Sequence, residues 1–153
     1  MTSRLIHRLI MLPILAILGM YFLSMTSAKP SDLGVQDGAF SKCPPSPNCV
    51  STQSDDPKKT MPAIGFTEDA KQTLNKIKAT IESNCPRAKL ITETDNYLHY
   101  EFTSLVFRFV DDVEFFANDS ERLVHFRSAS RVGHSDLGAN GKRMKKICES
   151  LKP

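Results

Sequence analysis

Apolar residues recur at helical spacing at Ala70, Leu74, Ile77, Ile81 and Cys85, and Pro86 closes the run, which predicts a helix with one buried face. Thr67 reads as its N-cap, with Glu68 and Asp69 at the positive end of the helix dipole. The period then changes from 3.6 to two. Residues 88–92, 97–104, 107–116 and 122–130 read as strands, with Thr94-Asp95-Asn96 and Asn118-Asp119-Ser120 supplying turn chemistry. A basic helix ends the chain, with Leu137, Met144, Ile147, Cys148 and Leu151 on one face and Lys142, Arg143, Lys145 and Lys146 largely on the other. The predicted fold class is α+β: a four-stranded antiparallel meander with an N-terminal and a C-terminal helix packed on one face.

Before this folded part, covering residues 63–153, the pattern is different. Residues 1–8 carry Arg4 and Arg8 and no acid, and residues 9–25 contain no charge at all. An apolar run with a basic start reads as a signal peptide or an N-terminal membrane anchor over residues 1–28, with the following domain outside the cytoplasm. A buried core helix fits less well, because the run is apolar on every side and ends in Lys29-Pro30-Ser31-Asp32. Residues 29–62 hold six of the nine prolines and no apolar period, so they read as a Pro-rich linker and extended arm held by something other than a helix or a strand ladder.

Composition narrows the function. The 153 residues suit one domain plus a short extra segment. The net charge of +3 falls to 18 basic against 17 acidic residues once Arg4 and Arg8 are set aside, which removes the electrostatic case for nucleic acid. Four cysteines in an exported chain suggest two disulfides, with three possible pairings. Cys43 and Cys49 bracket a stiff Pro-rich turn, and Cys85 and Cys148 both end on apolar helix faces, so the favoured pairing is Cys43 with Cys49 and Cys85 with Cys148.

Alternation also assembles a candidate site. A two-residue turn at Asp119-Ser120 sets Phe115 opposite Val124, Val113 opposite Phe126, Glu114 opposite His125 and Asp112 opposite Arg127. His99, Glu101, Arg108, Asp112, Glu114, His125, Arg127 and Arg131 then share one open polar face. Asp111 falls on the apolar face, where an acid needs donors, with Ser128 opposite. Downstream, Arg127-Ser128-Ala129-Ser130-Arg131 and the start of the last helix gather guanidinium groups, hydroxyls and backbone amides suited to a carboxylate or phosphate.

The runs CPPSPNCVS at 43–51, FRFVDDVEF at 107–115 and HFRSASRVGHSDLGANGKR at 125–143 resemble the bacterial and plastid family known as domain of unknown function 1499, over residues 40–150. The resemblance implies an exported or membrane-associated domain with no reaction assigned to the family as a whole. Its motif positions here are Cys43, Cys49, Asp111, Asp112, Arg127, Ser128, Ser130, Arg131, Ser135, Asp136, Gly138, Asn140 and Arg143.

The expected function is therefore a non-catalytic binding or assembly module of the cell envelope. Asp111, Asp112, Arg127, Ser128, Ser130, Arg131, Ser135, Asp136, Asn140 and Arg143 would face a small anionic ligand or an envelope protein. The membrane is a partner through the N-terminal segment if that segment is retained, and no cofactor is expected. The alternative is a small envelope hydrolase or isomerase using His125 with Asp112 or Glu114 on the open face. His99, His125, Glu101 and Glu114 are the groups from which a metal site would be built there. Gly133-His134-Ser135-Asp136 holds the residue types of a hydrolase triad, but consecutive residues cannot be oriented as one. The basic last helix offers a possible contact with anionic lipid, although such a face usually serves solubility.

Overall fold

The computed structural model describes residues 3–67 and 69–151, with side chains from Leu9 onward. Helix α1, Ser3–Met25, leads into two short strands, β1 (Val35–Gln36) and β2 (Ala39–Phe40), which pair with each other. Strands β3 (Cys49–Ser51) and β4 (Ile64–Gly65) follow, then α2 (Ala70–Asn84). The chain continues through β5 (Ala88–Glu93), β6 (Tyr97–Thr103), β7 (Val110–Asn118) and β8 (Leu123–Ser130), and α3 (Ala139–Ser150) comes last. The fold is α+β, and the main sheet has six strands rather than four, in the order β3, β8, β7, β6, β5, with β4 also on β8.

The extra strands come from the arm. β3 pairs antiparallel with β8 from Cys49 opposite Ala129 to Ser51 opposite Arg127, and β4 pairs with Leu123 and Val124. The arm is thus held by a ladder after all. Three residues in β3 and two in β4 are too few to show a period, so the pattern alone could not reveal it.

The meander forms with one change of register. Phe115 lies opposite Phe126, Glu114 opposite Arg127 and Val113 opposite Ser128, each two residues from expectation. The turn is four residues long because the Asn118 side chain accepts hydrogen bonds from the Ser120 amide at 3.1 Å and its hydroxyl at 2.7 Å, and Arg122 takes a positive φ. A shift of two leaves every side chain on its predicted face. At the other end β7 starts at Val110, so Phe107 and Phe109 sit in the 104–109 loop and pack on each other at 5.7 Å. That loop closes when the Ser104 hydroxyl accepts the Phe109 amide at 2.8 Å and the Phe109 carbonyl accepts the Ser104 amide at 2.8 Å.

One sheet face carries Leu98, Tyr100, Phe102, Val113, Phe115, Ala117, Val124 and Phe126 into a core with Leu74, Ile77 and Ile81 of α2 and Met144 and Ile147 of α3. The N-cap of α2 is Asp69, not Thr67: its carboxylate accepts the Gln72 amide at 2.7 Å, and Glu68 lies outside the described residues. Leu137 does not join the α3 face. It precedes the helix in a left-handed turn and is 86% exposed.

The opposite, polar face was expected to be open, yet His99, Asp112 and Glu114 are each at most 1% exposed. The stretch between α1 and β3 lies over it. The Gly34 amide donates to Glu114 Oε1 at 2.6 Å, and Phe40 packs edge-on against Phe116 at 6.5 Å. The Ser24 hydroxyl donates to the Arg108 carbonyl.

Cys43 and Cys49 form a disulfide. Cys85 and Cys148 form none with each other, which corrects the predicted second bridge. The reason is topological: α2 ends at Cys85 beside Ala88, whose row runs through Phe102 and Asp111 to Ser130, whereas Cys148 borders the groove of Ile64 and Gly65, which pair with the other end of β8. Among the described residues no helix is long and apolar enough to cross a membrane.

Replacing Cys43 and Cys49 by serine frees a short loop in the unfolded chain, and the urea midpoint is expected to fall by the equivalent of about 2 kcal/mol. An unchanged midpoint would show that β3 holds the arm without the bridge.

Candidate functional site

Alternation along β7 and β8 divides the predicted cluster between two sides of the sheet. Asp111, Ser128 and Ser130 point toward the helices, while Asp112, Arg127 and Arg131 point toward the arm. One predicted site is therefore two polar networks, back to back.

On the helix side Arg143 is the hub. It reaches from α3 to Asp111 Oδ2 at 2.5 Å, donates to Asn140 Oδ1 at 2.6 Å and Ser128 Oγ at 3.1 Å, and lies over the Phe102 ring at 4.7 Å. Its guanidinium was expected on the exposed side of the helix, but Asp111 needs a buried donor and Arg143 is long enough to supply it. Asn140 is fully buried, and its Nδ2 faces Asp136 at 2.8 Å, Ser130 Oγ at 3.0 Å and the Asn48 carbonyl at 3.1 Å. Asp136 accepts the Gly138 amide at 3.0 Å and the Asn140 amide at 2.7 Å. The helix start that looked ready for an external anion is thus satisfied from within the chain. Ser135 stands apart on the exposed loop, where its hydroxyl accepts the Leu137 amide at 3.3 Å.

On the arm side Arg131 grips Asp112 through Nε and Nη2, both at 2.8 Å, and Nη2 also pairs with Glu101. His99 Nε2 meets Asp112 Oδ1 at 2.8 Å. Burial by itself would raise the Asp112 pKa, but the hydrogen bonds from Arg131 and His99 outweigh it and hold the carboxyl below its ordinary 3.8. The same bond to Asp112, followed by that to Glu101, raises the Arg131 pKa despite burial. Beside this group Arg127 Nη1 pairs with Glu114 Oε2 at 3.2 Å, and the Tyr97 hydroxyl donates to Glu114 Oε1 at 2.8 Å. Burial, then the Glu114 charge, push the Tyr97 phenol up. Among the described residues, Arg127 Nε is one of two buried side-chain polar atoms without a partner.

His125 does not form the pair with Asp112 or Glu114 that the enzyme reading named. His125 lies opposite Phe116, with Nδ1 at 3.1 Å from Thr52 Oγ1 and Nε2 at 2.8 Å from Glu121 Oε2, so it is bonded to neither Asp112 nor Glu114. His99 and His125 thus serve separate carboxylates. Among the described residues no three His, Cys, Asp or Glu side chains gather as a metal centre.

Sequence reasoning missed Asn48. It is buried, its Nδ2 donates to the Gly133 carbonyl at 2.7 Å, and its carbonyl accepts both the Ser130 amide at 3.0 Å and Asn140 Nδ2. Its position inside the bridged CPPSPNC turn was the available signal. Next to it opens a cleft of about 490 Å³ bordered by Pro45, Pro47, Lys58, Asp136, Gly138 and Gly141. A second, more apolar groove of about 670 Å³ runs between residues 61–65 and α3 and shares no lining residue with either network.

A family model described as a protein of unknown function, DUF1499, matches residues 39–151. The chain belongs to the DUF1499 family. The match includes both polar networks, the bridged turn and the cleft, while α1 lies ahead of it. Among curated proteins none matches this DUF1499 chain.

Two outcomes are expected. Because the Asp112 pKa is lowered on folding, its contribution is present above the unfolded value and is lost as pH falls through the folded one. Urea stability should therefore decline as pH falls through and below the ordinary carboxyl value of 3.8, and Asp112→Asn should flatten that decline; an equal slope would assign it to other carboxylates. Arg143→Leu should cost about 3 kcal/mol by leaving Asp111 buried and unpaired, with part restored in the double variant with Asp111→Asn. A double variant no more stable than the single would show that Asp111 does not depend on Arg143.

Proposed function

We propose that this protein is a non-catalytic binding or assembly module of the cell envelope, kept at the membrane by α1 and recognising its partner at the cleft beside the bridged turn. The observation that carries this is how the donors are used. Arg143 and Asn140 on one side, and Arg127 and Arg131 on the other, donate to the chain's own acids, amides, hydroxyls and carbonyls, while Asp136 accepts from Asn140 and the start of α3. Their effect is to fix the bridged turn, β8 and the start of α3 in one relation. Recognition therefore belongs to the surface they hold in place.

That surface offers Lys58 to an anionic group and Pro45, Pro47 and Gly141 to an apolar one. Lys59 is less available, since it donates to the Pro44 carbonyl. The enzyme reading as posed, His125 acting with Asp112 or Glu114, loses support because His125 is bonded to Glu121 and Thr52 instead.

Retention of α1 is supported by three features. Residues 9–25 carry no charge, α1 as a whole extends over 23 residues from Ser3 to Met25, and the large apolar side chains of the helix are exposed almost throughout. Ser24 is buried against the domain, so removal of residues 1–28 would take away part of the packing. An envelope location also suits the disulfide.

Native mass spectrometry of the full chain, purified in detergent and read before and after denaturation, tests the proposal. A retained mass that is lost on denaturation, and absent from Gly141→Trp, is expected. A Cβ at Gly141 would make ordinary contact with Val50 Cγ1 at 3.8 Å, so a side chain can leave α3 there toward the cleft, and an unchanged urea midpoint checks that the variant folds. The bare chain mass in both proteins would overturn it.

A further inference from the structure

Outside α1, the exposed large hydrophobic residues among those described are Leu105, Val106 and Leu137, at 68%, 63% and 86% exposure. They are far apart in sequence but share one end of the sheet. Thr103 pairs with Val110 and Asp111 with Ser130, so the 104–109 loop and the 131–138 loop leave the sheet side by side. The Asn140 bonds to Ser130 and Asp136 keep the second loop at that end. The far end of the β7–β8 hairpin is instead the polar turn Asp119, Ser120, Glu121 and Arg122.

The same end meets α1. Ser24, in the last turn of that helix, donates its hydroxyl to the carbonyl of Arg108. The side chain of Arg108 is exposed, and so are Arg87, which enters β5 beside this loop, and Lys29, which follows α1. Apolar tips with cations around them, held against the end of an apolar helix, have the chemistry of a lipid interface: side chains enter the acyl boundary and guanidinium groups meet phosphates. A protein partner would need a contiguous apolar patch, whereas these residues project from two separate loops, as insertion into a fluid surface allows.

We propose that this end of the sheet docks on the membrane that holds α1, with Leu105, Val106 and Leu137 entering the lipid and Arg108 and Arg87 facing its phosphates. The inference rests on retention of α1 and adds the orientation of the domain. The cleft beside the bridged turn would then open near the membrane surface, within reach of partners that are themselves membrane-bound.

The chain contains no Trp, so one introduced indole is a unique probe. Four full-chain variants, Phe22→Trp, Leu105→Trp, Leu137→Trp and Asp119→Trp, are reconstituted in vesicles of anionic and zwitterionic phospholipid, with and without lipids brominated on the acyl chains. All four positions are exposed, so the substitutions leave the core intact, and unchanged urea midpoints check this. Expected are blue-shifted emission and quenching by brominated lipid at positions 22, 105 and 137, with neither at 119. Quenching at 22 without quenching at 105 and 137 would overturn the docking and leave the anchor. Absence of quenching at 22 would remove the anchor and the docking with it. Quenching at all four positions would show non-specific adsorption and also overturn the orientation.

Discussion

Moving a carboxylate from water into a protein interior costs several kcal/mol, and the arm-covered face of this sheet buries two, Asp112 and Glu114, with the half-buried Glu101 beside them. They are tolerated because Arg127 on β8 and Arg131 just beyond it neutralise them at hydrogen-bonding distance and because His99, Tyr97 and the Gly34 amide take lone pairs that the arginines leave. A sheet face of this kind cannot be left half covered. If the arm withdrew, water would weaken every pair at once; while the arm is in place, the low dielectric strengthens them. The arm and the charges therefore stabilise one another, and the position of the residues before β3 is set by carboxylates some eighty positions later.

The two consecutive acids Asp111 and Asp112 distribute this logic to both layers. Adjacent strand residues point to opposite faces, so one aspartate fixes α3 through Arg143 while the next fixes the arm-side network through Arg131. β7 is consequently buried on both sides along nearly its whole length. The central strand works as a tie between the two layers.

Much of this could be read from the chain because periodicity is local. The 3.6-residue spacing from Ala70 to Ile81 and the alternation at Leu98, Tyr100 and Phe102 each depend on neighbours in sequence, and both were realised. The faces of β7 and β8 survived even a register error, since the error was even. What stayed hidden was whatever depended on a partner far away. Two residues of β4 or three of β3 carry no pattern until β8 is beside them. Equally, nothing in His99, Asp112 and Glu114 announces that a glycine-containing arm will cover them, and a polar stripe reads as solvated by default. The Arg, Ser and Asp motif was visible as a dense collection of donors and acceptors, but its division into two networks follows only from which face each residue takes in the folded sheet.

The pairing of β3 with β8 also governs when the molecule can exist. Cys49 and Ala129 are neighbours in space but separated by most of the domain in sequence. A chain emerging N-terminus first has no template for its edge strand, nor any cover for its charged sheet face, until nearly the last residues have arrived. Contacts of such separation fold late and slowly. The export proposed above requires an unfolded chain, and a topology that delays folding suits it.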